Sequence, residues 1–163
     1  MAKQKTKPTR IIETFLNDLN SMVDRPRFQV ILTHGVLELL VNTLIEHRCK
    51  NGEKIVGRTR DYPYSVKLVL LHEKGLISDR FYHHLDSLRD LRNKAVHEAQ
   101  FTLTADMLTP FKGVVSWGKL QKLDDPKNFP HLLGQTVFTL WNTYVKLFAP
   151  IFEPHLFQNT DLK

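Results

Sequence analysis

Cysteine is nearly missing from this chain: Cys49 stands alone among 163 residues. That excludes an intramolecular disulfide and any cysteine-rich zinc site. Glycine is scarce too, and its seven copies are not gathered into a loop that could cradle a phosphate in the manner of a nucleotide-binding fold. There is no Gly-x-Ser-x-Gly elbow, and neither His83-His84 nor His72-Glu73 belongs to a His-Glu-x-x-His zinc helix. The residues therefore imply no metal and no cofactor. No apolar run approaches the ~18 residues that a membrane span requires, and charges stand where a signal peptide would be apolar. The expectation is a protein of the reducing cytoplasm without a membrane partner.

Alternation with period two is also missing, so no segment demands a strand, and the expected class is all-α. The length fits one domain. Six helices can be read, a bundle of about five to six. The first runs from about 9 to 20, with Ile11, Ile12, Phe15, Leu16 and Leu19 at three-and-four spacing. Asp24 is placed to cap a second helix over about 25 to 49, with Pro26 tolerated in its first turn. Phe28, Ile31, Leu32, Val36, Leu39, Leu40, Leu44 and Ile45 cover so much of its circumference that it should be central. Residues 51–63 read as a connection. A short helix over 64–74 is stopped by Gly75, and Ser78 caps a helix through about 99 whose inward stripe is Phe81, Leu85, Leu88, Leu91, Ala95 and Ala99. Thr104 should cap a fifth helix to about 117. A turn over 124–128 leads to a last one over 130–148, closed by Pro150. Phe15, Phe28, Phe81, Phe138 and Trp141 read as core.

Negative charge is absent before Glu13. Lys3, Lys5, Lys7 and Arg10 thus supply four of the net +6, leaving 19 basic residues against 17 acidic ones. Residues 1–8 read as a basic arm ahead of a domain over 9–155, with a tail over 156–163. Such an arm either solubilises or adds non-specific phosphate affinity. A second basic cluster, Arg48, Lys50, Lys54, Arg58 and Arg60, falls in the Gly-containing connection after the second helix and reads first as a solvated loop.

What the chain does have is a charged residue where a helix should be apolar. Counting by three and four from Leu88 reaches Arg92, Ala95 and Ala99, so the Arg92 guanidinium starts beside the core stripe and needs a partner. Asn93 and His97 share a face one turn apart, whereas Arg92 and His97 are about 140° apart on a regular helix. On spacing alone two readings stay open. Arg92 pairs with a buried carboxylate and His97 is a helix-terminal residue favoured by the macrodipole, or the two serve chemistry on a phosphate. Metal-free RNA cleavage needs a base for the ribose 2′-hydroxyl, a proton donor for the leaving oxygen and positive charge at the phosphate, and His and Arg suit these roles. Asn93 can orient either. Glu38, on the polar line His34, Glu38, Asn42 and Glu46 of the second helix, is a candidate partner for Arg92.

The segment Leu88-Arg89-Asp90-Leu91-Arg92-Asn93-Lys94-Ala95-Val96-His97-Glu98 resembles the signature of the HEPN superfamily, all-helical domains in which an Arg and a His four to six residues later serve RNA cleavage in many members. The run Val66-Lys67-Leu68-Val69-Leu70, Gly75-Leu76-Ile77-Ser78-Asp79 and Leu85 to His97 is similar both to the mannitol operon repressor family and to small HEPN domains of prokaryotic conflict systems. The resemblance implies a HEPN-like bundle that dimerises with its motifs facing a shared cleft. Arg92, His97 and Asn93 would be its catalytic residues, and Glu38 would position the guanidinium. It implies RNA as partner, with Lys3, Lys5, Lys7, Arg58, Arg60, Arg89 and Lys94 as candidate contacts, and a cognate antitoxin or regulatory partner. Two functions follow from it: a metal-independent endoribonuclease acting as a toxin or defence effector, or a non-catalytic transcriptional or translational regulator or RNA-binding scaffold.

Overall fold

The three-and-four spacing of apolar residues becomes eight α-helices and no strand among the described residues, which in this computed structural model are 10–111 and 126–154. Helix α1 (Ile11–Ser21) buries Ile12, Phe15 and Leu19. Helix α2 (Pro26–Arg48) begins with Pro26, whose missing N–H costs nothing in a first turn. Asp24 does not cap it: Arg25 occupies that position and makes no side-chain bond. As the sequence implies, α2 is central, packing against α1, α3, α4, α5 and α7. Its buried face differs from the expected one. Val30, Leu37, Val41, Gln29, Thr33 and His34 lie inside with Leu40, Leu44 and Ile45, while Phe28 (53% exposed), Ile31 and Leu39 face out. A helix apolar around most of its circumference has no single stripe, so its own periodicity cannot say which strip its neighbours leave uncovered. One further expectation is corrected here. Helix α2 is long and apolar enough to cross a membrane, although more than half of it is buried in the bundle.

The connection after α2 is not a plain loop but contains α3 (Gly52–Gly57). Gly52 presses against the end of α2: a Cβ there would stand 2.3 Å from the Ile45 carbonyl oxygen, so only glycine fits. Helix α4 (Tyr64–Glu73) stops as expected at Gly75, with φ +65°. The Leu76 N–H donates back to the Leu71 carbonyl at 2.9 Å and closes the end. Ser78 caps α5 (Asp79–His97), its Oγ accepting from the Phe81 N–H at 3.3 Å. Leu85, Leu88, Leu91 and Ala95 face inward, and so does His84. The helix ends at His97, so Ala99 falls outside it and is exposed.

Helix α6 is short (Ala105–Leu108), makes no side-chain cap with Thr104, and runs into a 3-10 turn over Thr109–Phe111. The remainder of the expected fifth helix lies outside the described residues. The expected single last helix is two: α7 (Phe129–Thr143) and α8 (Val145–Phe152), broken at Tyr144, whose hydroxyl donates to the Leu76 carbonyl. Pro150 sits inside α8 rather than closing the helix before it. Of the five aromatics read as core, Phe15 and Trp141 are buried, Phe81 and Phe138 half-buried and Phe28 exposed. Each wholly buried leucine of this core contributes about 2 kcal/mol.

Candidate functional site

Arg92 and His97 are carried by the last turns of α5, which lies antiparallel to α2. Arg27, near the start of α2, donates through Nη2 to the carbonyl oxygens of Glu98 (2.7 Å) and Ala99 (3.0 Å), just past the end of α5. One to two turns further along α2, buried His34 lies where the positive charges of Arg92 and Arg89 act on it. Nothing in the sequence singles out Arg27, since an arginine in a first helical turn carries no local signal of its partner 71 residues away.

The Arg92 guanidinium is half-buried. Its Nη1 donates to Asn93 Oδ1 at 3.2 Å, and it forms no ion pair with any carboxylate of the described residues. Glu38 has a different partner from the one expected: its Oε2 stands 3.9 Å from Nδ1 of His34, one turn earlier on the same helix. Asn93 is spent on the arginine and not on His97, so it fixes the guanidinium beside the helix that carries both. Most of the donor fork of Arg92 is left for an anion.

His97 is the last residue of α5 and exposed, and its side chain makes no hydrogen bond or ion pair among the described residues. The helix is regular to its end, so Arg92 and His97 remain about 140° apart around the axis and about 7.5 Å apart along it. Within one chain they do not converge. A second imidazole, that of His34, does stand close enough to Arg92 to feel its charge. It is 7% exposed, and its ring packs at 4.6 Å against that of Tyr64. Burial holds the His34 pKa below the ordinary value, with Arg92 and Arg89 pushing it the same way and Glu38 opposing. Shut from solvent and favoured in its neutral form, it is poorly placed to meet a phosphate, and at 3.9 Å it neighbours Glu38 without a hydrogen bond. Tyr64 is buried too, and loss of solvent, with the charges of Glu38 and Asp86 adding to it, raises its pKa.

The polar line of α2 continues inward at Asn42, whose Oδ1 accepts from Nζ of Lys67 at 2.8 Å. Lys67 is 1% exposed, so this bond to the amide is made in the interior, where an unpartnered ammonium would be costly. The signal for the line was legible as four-residue spacing of polar residues, but its depth was not.

The expected RNA contacts scatter. Arg89 is held by Asp86 and Asp90, each at 2.9 Å, so its charge is already balanced. Lys94 is exposed but points about 160° from Arg92 around the helix, beside a cleft lined by Asp90, Asp106 and Met107. Arg58, 4.0 Å from Asp61, and Arg60 lie beyond α3. That is the far end of α2, about 28 Å of helix from Arg27. Lys3, Lys5 and Lys7 lie outside the described residues. No family model matches the chain, and neither a curated protein nor a solved structure shows significant similarity to it.

Proposed function

We propose that this chain is a metal-independent endoribonuclease of the HEPN type, acting in the cytoplasm as a homodimer with Arg92 and His97 at a shared cleft. The observation that carries the reading is Arg92, a half-buried guanidinium that lacks a carboxylate among the described residues and so suits an anion. A structural arginine at such a site would be paired. His97 supports it from the other side: an exposed imidazole on the last residue of a helix can meet a substrate and give or take a proton without unfolding anything. In the proposed reaction the guanidinium fork holds the phosphate oxygens, Asn93 holds the guanidinium, and the two imidazoles of a dimer divide the work of base and acid. RNA and a cognate antitoxin or regulatory partner follow from the same reading.

The separation of Arg92 and His97 around one helix favours a second reading, a non-catalytic HEPN-fold regulator or RNA-binding scaffold, unless a second chain completes the centre. RNA digestion in EDTA decides. His97→Ala should lower cleavage by at least about 100-fold and leave the melting temperature unchanged, since the residue is exposed. Arg92→Ala should lose cleavage as well, at a stability cost of no more than about 1 kcal/mol, because no buried carboxylate is stranded. Wild-type cleavage by His97→Ala would remove the catalytic assignment.

A further inference from the structure

Arg27 is tied to the end of α5 through one nitrogen only. Its Nη2 donates to the carbonyls of Glu98 and Ala99 at 2.7 and 3.0 Å, while Nε and Nη1 have no partner among the described residues. Both acceptors are neutral, and no carboxylate of the described residues forms an ion pair with this guanidinium. Glu98 lends its backbone oxygen and not its side chain. The cation is thus held in place without being balanced, and one edge of its donor fork stays unspent. Arg89 on α5 shows the contrast, with carboxylates of Asp86 and Asp90 both at 2.9 Å.

We propose that Arg27 is a phosphate-binding residue of the RNA site, holding a backbone phosphate beside the one at Arg92, on the His97 side. Position gives the unspent edge this use. The first acceptor of Arg27 belongs to the residue after His97, so the His97 Cα stands within about 9 Å of Nη2. Arg92 lies six residues before Glu98, about 9 Å along the helix axis. That is the rise of two to three stacked nucleotides at about 3.4 Å each, so one strand laid along the junction of α2 and α5 can meet both guanidiniums. Arg27 touches no reacting atom in this scheme. It fixes the strand at the end of α5 where His97 is carried, which Arg92 on another face of that helix does not do. That the anion is RNA rests on the ribonuclease reading; that the guanidinium has an edge and a charge to offer an anion does not.

The test is binding of the full chain to a short single-stranded 2′-O-methyl RNA, which cannot be cut because the attacking hydroxyl is blocked, followed over a range of salt. Arg27→Met should make the plot of log affinity against log salt shallower by about 0.7, which is about fivefold weaker binding at about 0.1 M and none near 1 M. Arg27→Lys separates charge from clamp. It keeps a cation for the phosphate and loses the fork that serves two carbonyls, so it should retain the wild-type slope while amide exchange over 98–101 speeds up as in Arg27→Met. A slope in Arg27→Lys as shallow as in Arg27→Met, an Arg27→Met slope equal to the wild type, or a wild type that does not bind overturns the proposal. If Arg27→Met does not fold, the Arg27 Nε–H resonance of the wild type decides: it should shift as the RNA is added, and an unmoved resonance overturns the proposal. Cleavage of ordinary RNA in EDTA is scored separately. Binding through Arg27 without cleavage removes the ribonuclease reading and keeps the phosphate site, and cleavage with an unchanged slope in Arg27→Met does the reverse.

Discussion

His84 shows how much a single buried side chain can tie stability to pH. Its Nε2–H donates to Thr136 Oγ1 at 2.6 Å, a direction fixed because that hydroxyl gives its own proton to the Leu132 carbonyl at 2.9 Å. Nδ1 is buried without a partner, between the rings of Phe81 and Phe111. Charging the ring would put an N–H into that apolar space, so burial lowers the pKa from near 6.5 to about 4. As pH falls below 6.5 the unfolded chain takes up a proton that the folded chain refuses. The stabilisation present above 6.5 is therefore lost progressively down to about pH 4, about 2 kcal/mol of it by pH 5. Urea midpoints at pH 7.5 and pH 5 should differ by that much more in the wild type than in His84→Gln, which cannot titrate. Equal pH dependence in the two proteins would assign the acid sensitivity to carboxylates instead. The sequence marks His84 only as a histidine on the inward side of a helix. That it is neutral, and why, depends on Thr136, 52 residues later on α7.

The junction of α2 and α5 depends on one long-range contact. The carbonyls of Glu98 and Ala99 follow the last turn of α5 and would otherwise face water, and Nη2 of Arg27 donates to both. Charged hydrogen bonds of this kind contribute about 1.5–3 kcal/mol when shielded, and less here because the contact is exposed. Arg27→Met keeps the apolar stem and removes the donors. It should lower stability by no more than about 1 kcal/mol while speeding amide exchange over 98–101, and unchanged exchange there would mean that the clamp does not order the segment. Helix starts and stops with local chemistry were legible: Ser78 and Gly75 mark theirs through their own hydroxyl and their own φ. The breaks that tertiary contacts decide were not. Tyr144 divides α7 from α8 through a bond to Leu76, 68 residues earlier, and α3 forms because Gly52 can lie directly on the end of α2. The site divides in the same way: the register of Arg92 and His97 was readable, whereas the pairing of Glu38 with His34 was not.

At the scale of the whole molecule, the unexplained feature is the uncovered side of the central helix. Phe28, Ile31 and Leu39 are exposed along α2 at three- and eight-residue intervals, around an exposed Gly35 that has open space where a Cβ would stand. Ile31 follows Arg27 by one turn on the same face, so it lies beside the end of α5, where Val96 is also exposed. An apolar strip next to Arg92 and His97 suits a second copy of the chain, and covering it would bring two sets of the motif residues together across a two-fold axis. The proposed homodimer should therefore sediment at twice the chain mass at micromolar concentration. Ile31→Glu should convert it to a monomer whose unimolecular melting is little changed, because the side chain is already partly in water. Cleavage should fall together with the dimer fraction, and raising the concentration of the variant should restore both. A wild type that remains monomeric at these concentrations, or an Ile31→Glu monomer that cleaves RNA at the wild-type rate, would place the chemistry in a single chain.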